Sequence, residues 1–550
     1  MRRVFDWIRD FQYNLTLRRE KNVNIASVGL LGRQVQQAES GIEKDAGKVV
    51  VFNASTRLAN FSLNAAYSLL SSWGLRLSGW EVIHFVCQEG MSRCLLGSSE
   101  NHPYLQPPCK LCTAFSNHLY TGAEVSGFEY YRDEDLSAAL TGKTVAEMAE
   151  LVFEDLPLGE LVLPSIRWRM RRHHLEDDQA TQLLFREFIL SAYHVGKEFK
   201  ALANRVQPDL VLVFNGQMFP EAMVRYLALQ RGIKVISHET GYQPFTAFMT
   251  TGDATARKVY LTDEELTLTP EENQKLDIYL EERFQGQFSM AGIQFWREMN
   301  DFPVEIEQKL EKFDQMVPIF TNVIFDTSQA HANKAFAHMF DWLDTTLEVI
   351  KAYPDTRFVL RAHPDELRPN SMKKSKETVQ DWVERHKAAD LPNLMFIPPL
   401  QFVSSYDLIQ RAKFVLAYNS SVALESVLLG RLALCAGWAW YAEYPTVIMP
   451  ANPEEYTKQV GDLLAAESVE LPAEFKQTAR SLVYHQNFRV SIPFDRHLEP
   501  HTLPGFVRIN EFEVSELNDR DDPAIRSLVA GIRKNLPVIR IEEKSDGNSG

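Results

Sequence analysis

Short apolar runs alternate with helix-compatible stretches along most of the chain, and this alternation restricts the fold more than any other feature. The runs of the first half are KVVVFNAS (48–55), WEVIHFVC (80–87), PDLVLVFNG (208–216) and GIKVISHE (232–239). Those of the second half are PIFTNVIFD (318–326), RFVLRAHP (357–364), NLMFIPP (393–399), KFVLAYNS (413–420) and RLALCAG (431–437). Short apolar strands separated by helical segments are typical of parallel sheets with helical crossovers. The pattern therefore predicts an α/β protein.

A polar, acidic tract over about 262–315 separates the two series of runs. Because 550 residues are too many for one ordinary core, we expect more than one domain. We predict two Rossmann-like domains that face a cleft, one over 1–315 with a cysteine-rich insertion at 87–112 and one over 316–500. The remaining residues, 501–550, are predicted to be a charged and partly disordered extension.

The net charge of −15 argues against a broad nucleic-acid-binding surface, which requires a basic face. No stretch approaches the ~18 consecutive apolar residues of a membrane-spanning helix. The N-terminus also lacks the apolar core and cleavage site of a secretory signal, so we expect a cytoplasmic protein. Residues 1–20 combine aromatic side chains with several arginines, which would suit peripheral contact with the inner face of an anionic membrane. The commoner alternative is an amphipathic helix packed on its own domain.

Two polar loops follow apolar runs of the second half. Arg361 and His363 occupy alternate positions at the end of one run and should share a face of the strand. Asn419, Ser420 and Ser421 lie between KFVLAY and SVALESVLLG, where they could cap a helix or present hydroxyl and N–H groups to an anion. Since parallel sheets bind ligands beyond the carboxyl ends of their strands, these loops predict a binding site for a phosphorylated ligand.

RAHP, followed about fifty-five residues later by NSSVALESVLLGRLALCAG, resembles the donor-nucleotide half of GT-B-fold glycosyltransferases of bacterial capsule and surface-polysaccharide biosynthesis. Sialyl- and Kdo transferases, which use cytidine-nucleotide donors, have similar HP and SS motifs. The resemblance covers about 316–440 and implies that His363, Ser420 and Ser421 contact the phosphate of a nucleotide-sugar donor, with Arg361 beside them. It also implies that Glu425, one helical turn beyond Ser421, contacts the donor ribose.

The implied activity is transfer of a sugar, with CMP among the candidate donor nucleotides, to a surface-polysaccharide or lipid-linked acceptor. A transfer step without metal fits the absence of an Asp-x-Asp motif in a suitable loop. Two alternatives stay open at this point. CDP-glycerol polymerases of teichoic-acid synthesis share a similar HP and serine pattern, so the chain could be a CDP-alcohol phosphotransferase. It could also be a non-catalytic sugar-nucleotide-binding or scaffold protein of the same pathway.

SHETGYQP (237–244) ends the last apolar run of the first half. Sialyltransferase-type enzymes have a carboxylate-carboxylate-Gly motif here, whose acid deprotonates the acceptor hydroxyl. This chain differs, with His238, Glu239, Thr240 and Gly241 in that order. An inverting displacement needs a base, and Glu239 or His238 could supply it. The alternative is a structural turn in which Gly241 has a positive φ.

Four of the five cysteines fall within CQEGMSRCLLGSSENHPYLQPPCKLC. Disulfides are disfavoured in the cytoplasm, and a C-x2-C pair is typical of metal sites. Cys87, Cys94, Cys109 and Cys112 are therefore predicted to bind a structural zinc ion or an iron–sulfur cluster. The alternative is four buried thiols that act as small apolar side chains.

Two further polar stretches receive ordinary interpretations. RMRRHHLEDD (169–178) could meet a phosphorylated acceptor, but the default is a solvated start of a helix. Asp365 and Glu366, directly after the His-Pro dipeptide, are predicted to be solvent-facing turn residues.

Overall fold

The computed structural model describes residues 24–54, 61–255, 261, 266–285, 289–290, 293–294, 303–367, 374–401, 403–501 and 506–541. Residues 1–20 and 542–550, to which the membrane-contact prediction and part of the disorder prediction refer, lie outside these ranges. None of the helices in the described ranges is long and apolar enough to cross a membrane.

The elements fall into a first domain, a connecting segment, a second domain and a C-terminal segment. The first domain contains α1 (24–39), β1 (Gly47–Phe52), α2 (Leu63–Leu77), β2 (Trp80–Cys87), α3 (Cys109–Leu119), β3 (Glu124–Phe128), α4 (Glu134–Ala139), α5 (Val145–Ala149), α6 (Leu158–Met170), α7 (Gln179–Val206), β4 (Leu210–Phe214), α8 (Glu221–Gln230), β5 (Lys234–Thr240) and β6 (Thr246–Thr251). The connecting segment contains α9 (Pro270–Phe284), β7 (Ser289–Met290), β8 (Ile293–Gln294) and α10 (Val304–Leu310).

The second domain contains β9 (Gln315–Phe320), α11 (Met339–Ala352), β10 (Thr356–Arg361), α12 (Val379–His386), β11 (Leu394–Ile397), α13 (Ser405–Arg411), β12 (Val415–Ala417), α14 (Val422–Leu428), β13 (Ala433–Cys435), α15 (Pro453–Ala465) and α16 (Ala473–Tyr484). The C-terminal segment contains β14 (Ile492–Pro493), β15 (Leu498–Pro500), β16 (Val507–Ile509) and α17 (Pro523–Lys534).

Each domain is built on a parallel sheet with the strand order of a Rossmann fold. The first sheet runs β14-β6-β5-β4-β1-β2-β3. Its five strands β5, β4, β1, β2 and β3 are parallel, and the pairings of β6 with β5 and of β14 with β6 at one edge are antiparallel. The second sheet runs β11-β10-β9-β12-β13, and all its pairings are parallel. In both sheets the first strand lies in the interior, and later strands are added on both sides of it, which is the doubly wound topology. The prediction of two Rossmann-like α/β domains is confirmed.

Helices cover both faces of each sheet, which explains why the central strands are apolar without alternation. In β4, LVLVF is buried except at its last residue, and all of β10 is buried. Two apolar clusters form on opposite faces of the first sheet, and two more form on the faces of the second. The carboxyl ends of the strands, where the apolar runs stop, are thus left for polar loops.

The C-terminal segment returns to the first domain. Ile492 of β14 pairs with Ala247 of β6, and the apolar face of α17 packs on α2. A Cβ atom at Gly74 in α2 would lie 2.3 Å from the Ile525 side chain, so glycine there allows the two helices to pack closely. Residues 506–541, predicted as part of a charged and partly disordered extension, return to the first domain, where α17 buries an apolar stripe in the core.

Candidate functional site

Glu239 lies at the carboxyl end of β5 and is held by side-chain amides from two other loops. Its Oε1 accepts a hydrogen bond from Asn64 Nδ2 at 2.6 Å, and its Oε2 accepts one from Asn215 Nδ2 at 2.9 Å. The backbone N–H of Thr240 donates to Oε1 at 2.9 Å. Asn215 directly follows β4 and Asn64 opens α2, which follows β1. Because β1, β4 and β5 are neighbours, their loops meet around this carboxylate.

His238 is not placed to act as the base. Successive residues of a strand point to opposite faces, and His238 is only 1% exposed. Neither ring nitrogen has a hydrogen-bond partner among the described residues, and burial lowers the pKa of His238 to about 3. The ring is therefore neutral and enclosed by the core. Of the two predicted bases, only Glu239 remains a candidate.

A tight turn after β4 sets the position of the Asn215 amide. Asn215 and Gly216 both have positive φ angles, 55° and 72°. A Cβ atom on Gly216 would lie 2.6 Å from Ser237 Oγ, so this turn requires glycine. Asn215 Oδ1 accepts the backbone N–H of Gln217 at 3.0 Å, and Arg225 Nε donates to the Gly216 carbonyl at 2.9 Å. The turn thereby aims one end of the Asn215 amide at Glu239.

At the second sheet, the His-Pro turn fixes the His363 ring. His363 Nδ1 accepts the backbone N–H of Asp365 at 3.1 Å, so the neutral ring carries its proton on Nε2. Arg361, two residues earlier, is buried and donates from Nη1 to the Pro398 carbonyl at 2.9 Å. Burial lowers the pKa of Arg361 to about 10. This contact braces the loop after β11, and it gives no support to the predicted phosphate role of Arg361.

Asn419 joins the loop after β12 to the loop after β9. Its Oδ1 accepts from Asn322 Nδ2 at 2.8 Å and from Gln329 Nε2 at 3.0 Å, and its Nδ2 donates to the Ser328 carbonyl at 3.2 Å. The loops after β9 and β12 therefore meet at one sheet edge, and the His363 loop follows β10, the strand on the other side of β9. Asn419 therefore connects the two loops by hydrogen bonds, a role that its position in the sequence does not reveal.

The two serines before α14 differ in exposure and contacts. Ser420 is half-buried, and its Oγ accepts the backbone N–H of Val422 at 3.4 Å, a contact within the turn that precedes the helix. Ser421 is exposed, and its Oγ donates to Glu425 Oε1 at 3.3 Å. The helix that they precede has seven residues, so it aligns fewer peptide dipoles than the sequence led us to expect. Any phosphate bound here would be held by side-chain groups.

Glu425 is engaged in a buried ion pair. Its Oε1 accepts from Arg283 Nη2 of α9 at 2.6 Å, and both side chains are mostly buried. Tyr242, from the loop after Glu239, lies near enough to Arg283 for the two to interact electrostatically; burial raises the pKa of Tyr242 to about 12. Glu425 therefore already has a partner, and its contact with a ribose stays a prediction. Arg283, which lies in a polar helix, was missed by sequence reasoning.

A cavity of about 200 Å³ lies between the two domains. Gln217, which follows Asn215 in the tight turn, contributes to its wall from the first domain, and Gln329, which binds Asn419, contributes from the second. The charged or ionisable side chains of its wall are Glu160, Arg167, His173, Arg225, Asp326 and His331. The cavity thus borders the turn after β4 in the first domain and the loop after β9 in the second, and the prediction that the domains face a cleft is confirmed.

The segment that contains His173 and His174 joins the two domains. Glu377 of the second domain accepts the backbone N–H groups of His173 and His174 at 2.9 and 3.1 Å and contacts His174 Nδ1 at 2.5 Å. His174 Nε2 lies 3.0 Å from His338 Nε2. Burial alone would raise the pKa of Glu377, but these partners lower it to about 2, and the contact with Glu377 raises the pKa of His174.

The stretch 169–178 is not a solvated helix start. Arg169, Arg171 and His173 are buried, so that expectation is wrong.

Glu366 is also not a solvent-facing residue. Its side chain is fully buried and accepts the backbone N–H of Val379, the first residue of α12, at 3.2 Å. Burial raises the pKa of Glu366 to about 8. The carboxyl group therefore fastens the turn after His363 to α12, and the sequence prediction for it is wrong.

The four clustered cysteines line one cavity at the carboxyl edge of the first sheet. Cys87 ends β2, Cys94 lies in the following loop, and Cys109 and Cys112 lie in the first turns of α3. In the part of the chain that the structure describes, no group of three or more histidine, cysteine or acidic side chains is placed to hold a metal ion. The predicted clustering is present, but the close tetrahedral arrangement of a zinc site is not. Cys435, the fifth cysteine, is buried in β13.

The fold and the site define a two-domain α/β protein with a cleft between the carboxyl edges of two Rossmann-like sheets. No family model and no curated protein matches the sequence.

Solved structures resemble the chain only distantly. The Thermosulfurimonas dismutans KpsC β-Kdo 2,7-transferase aligns at 13% identity and a TM-score of 0.30, over 52% of this chain and 80% of that one. The UDP-GlcNAc 2-epimerase of Neisseria meningitidis, bound to UDP-GlcNAc, aligns at 11% identity and 0.24, over 79% and 98%. The glycosyltransferase of kitacinnamycin aligns at 12% and 0.25, over 80% and 96%. All three TM-scores lie below 0.5, so this likeness assigns no function to the chain.

Proposed function

We propose that the chain is a glycosyltransferase that moves a sugar from a nucleotide-activated donor to an acceptor hydroxyl. The observation that carries this proposal is the position of Glu239. Its carboxylate is held by Asn64 and Asn215 at the carboxyl edge of the first sheet, and the turn that contains Asn215 continues into Gln217, which lines the cavity between the domains together with Gln329 of the loop after β9. A base on one side and a phosphate-binding loop on the other are the two parts that a displacement at a sugar carbon requires.

Glu239 would act as the general base. Oε1 accepts hydrogen bonds from Asn64 and Thr240, whereas Oε2 accepts one from Asn215 and keeps a lone pair that can accept a proton. In the proposed step the acceptor hydroxyl gives its proton to Glu239, its oxygen bonds to the anomeric carbon, and the bond from that carbon to the nucleotide phosphate breaks. The carboxylate ends protonated, and the nucleotide leaves with the electron pair of the broken bond.

The loops after β10 and β12 would bind the donor phosphate. His363 carries its proton on Nε2 and can donate it in a hydrogen bond to a phosphate oxygen, and the Ser420 hydroxyl adds a second donor. The Ser421 hydroxyl, which donates to Glu425 Oε1, would add a third on turning from that carboxylate to the phosphate. Donors of this kind stabilise the negative charge that develops on the leaving nucleotide. From the sequence resemblance we extend the proposal to a cytidine-type nucleotide and a surface-glycan or lipid-linked acceptor.

Nucleotide binding is the first test of this proposal. Thermal-shift titrations of the full chain with CMP, CDP, UDP and GDP should show stabilisation by at least one nucleotide. The effect should be lost in Ser420→Ala/Ser421→Ala and kept in Ser515→Ala, an exposed serine of the C-terminal segment. If none of the four nucleotides stabilises the protein, the donor site does not exist as proposed.

Turnover is the second test and separates an enzyme from a binding protein. Glu239→Gln keeps the size of the side chain but removes the base, so it should bind nucleotide like the wild type and release less than ~1% as much nucleotide from a matching sugar donor. Glu348→Gln, which changes an exposed carboxylate on α11, is the matched control. Full turnover in Glu239→Gln would contradict the assignment of the base. Transfer of glycerol phosphate in place of sugar would favour the CDP-alcohol alternative.

A further inference from the structure

We propose that Cys87, Cys94, Cys109 and Cys112 bind an iron–sulfur cluster. All four side chains line one cavity, although they come from three separate places: the end of β2, the loop after it, and the start of α3. None of these residues takes part in the proposed transfer of the sugar, so the cysteine site does not depend on that proposal.

The protein itself brings the cysteine-bearing segments together. Arg93, only 7% exposed, donates to the carbonyl groups of Ser92, Pro103 and Tyr104 and to the side-chain oxygen of Gln106. These bonds fold the long loop back on itself, so that Cys109 returns to the neighbourhood of Cys94. A buried arginine with this set of partners fixes the loop, which indicates a shaped site and not a chance meeting of thiols.

Backbone N–H groups point at two of the sulfur atoms. Gly90 donates to Cys87 Sγ at 3.3 Å, and Gly97 donates to Cys94 Sγ at 3.2 Å, each from three residues further along the chain. Hydrogen bonds of this kind stabilise thiolate ligands and tune clusters. A Cβ atom on Gly97 would lie 2.9 Å from Cys94 Sγ and 2.8 Å from Pro107, so the N–H group can approach the sulfur only from a glycine.

Positive charge and peptide dipoles lie close to the thiols. The guanidinium group of Arg169, which is 8% exposed, donates to the carbonyl of Leu95, the residue after Cys94. Cys109 and Cys112 occupy the first turns of α3, where the helix dipole offsets negative charge. Four thiolates and a cluster carry net negative charge, and both features offset it.

The placement of the four thiols favours a cluster over a single ion. Zinc holds four sulfurs at about 2.3 Å, which draws them together around one point and leaves no space between them. Here no three donors of the described chain are placed to hold a single ion, although all four thiols line one cavity. Ala54, Met91, Leu96 and Pro107 form the apolar part of the wall, and Glu89 and Thr113 form the polar part. Cysteine ligands around such a space suit a group of several iron and sulfide atoms.

The place of the site in the fold suggests a structural role. β2 is three strands from β5 in the first sheet, a separation of about 14 Å at the usual strand spacing. A cluster there would fasten the cysteine-rich insertion to the same sheet edge that carries Glu239. The cluster is therefore expected to support the acceptor side of the cleft without taking part in the transfer step.

Metal analysis of the wild-type chain tests the proposal directly. Full-length protein purified without oxygen from iron-supplied cells should contain iron and acid-labile sulfide in equal amounts, absorb broadly in the visible region, and lose that absorption on oxidation or chelation. Zinc in place of iron would overturn the proposal. So would a folded, metal-free protein that takes up no cluster when ferrous iron and sulfide are added without oxygen.

Variants locate the ligands. Cys109→Ser and Cys112→Ser should each lose at least half of the bound iron, whereas Cys435→Ser, which changes the fifth cysteine in β13, should keep all of it. Iron retained in a Cys109→Ser/Cys112→Ser double variant would contradict the ligand assignment. If these variants do not fold, the iron, sulfide and zinc contents of the wild type still decide the question.

Discussion

Replacing the buried Glu366 by glutamine should stabilise the second domain at neutral and alkaline pH. The carboxyl group is fully buried, and burial raises its pKa from 4.5 to about 8. The folded state therefore keeps a proton that the unfolded state releases. The stability that this proton contributes is complete below pH 4.5 and is lost progressively as the pH rises towards 8.

The size of the effect follows from this window. Between pH 4.5 and pH 7 only the unfolded carboxyl group releases its proton, and at about 1.4 kcal/mol per pH unit this costs the folded state about 3 kcal/mol. Glutamine carries no proton to lose, and its Oε1 can still accept the backbone N–H of Val379. Glu366→Gln should therefore raise the free energy of unfolding at pH 7 by up to this amount, with little change near pH 4.5.

Thermal unfolding of the full chain at pH 5, 7 and 8 measures the prediction. For a domain of the size of the second one, 3 kcal/mol corresponds to a rise in Tm of about 6–12 °C. Asp365→Asn is the matched control, since it removes a carboxylate from the same turn at a half-buried position. A Glu366→Gln variant that has the same pH dependence as the wild type, or a lower Tm at pH 8, would refute the reasoning.

Three further predictions concern contacts between the parts of the molecule. Glu377→Gln should lower the Tm most near pH 6, and the loss should shrink towards pH 9. The reason is that Glu377 raises the pKa of His174, and the stability that this contributes is lost as the ring deprotonates. Equal losses of Tm at both pH values would contradict this. Asn215→Ala should reduce kcat by about tenfold or more while nucleotide affinity stays unchanged, since it frees one oxygen of Glu239 from its orienting amide, and weaker nucleotide binding would argue against a role on the acceptor side. Arg283→Met should destabilise the protein by about 3 kcal/mol in urea unfolding, because it leaves the buried Glu425 carboxylate without its cation, and an additional Glu425→Gln substitution should recover most of that loss.

The strands that sequence reasoning found are those whose apolar runs are continuous, because a strand buried on both faces carries its own signal. It missed β3, whose sequence EVSGF is largely solvent-accessible at the sheet edge, and β6, whose sequence TAFMTT is half polar. It also missed β14, which has two residues and pairs with β6 across more than two hundred positions. Short edge strands of this kind depend on tertiary pairing that no local pattern encodes.

In the candidate site, too, local sequence identifies some residues, while others are revealed only by contacts between distant parts of the chain. Glu239, His363 and the serines before α14 could be picked out because each follows an apolar run. Their partners could not, since the contacts of Glu239 with Asn64 and of Glu425 with Arg283 join residues 175 and 142 positions apart. Glu366 was misjudged because a carboxylate after His-Pro reads as a turn residue, and only the packing of α12 shows that it is buried.

The return of the C-terminal segment has a consequence for the order of events on the ribosome. The core between α2 and α17 includes Ile525, Leu528 and Ile532, so the first domain cannot complete its packing until these residues have been synthesised. The second sheet needs nothing beyond β13. Until β14 arrives, β6 leaves an unpaired strand edge on a nascent chain, a state prone to association. The domain whose synthesis begins first is the one whose folding finishes last.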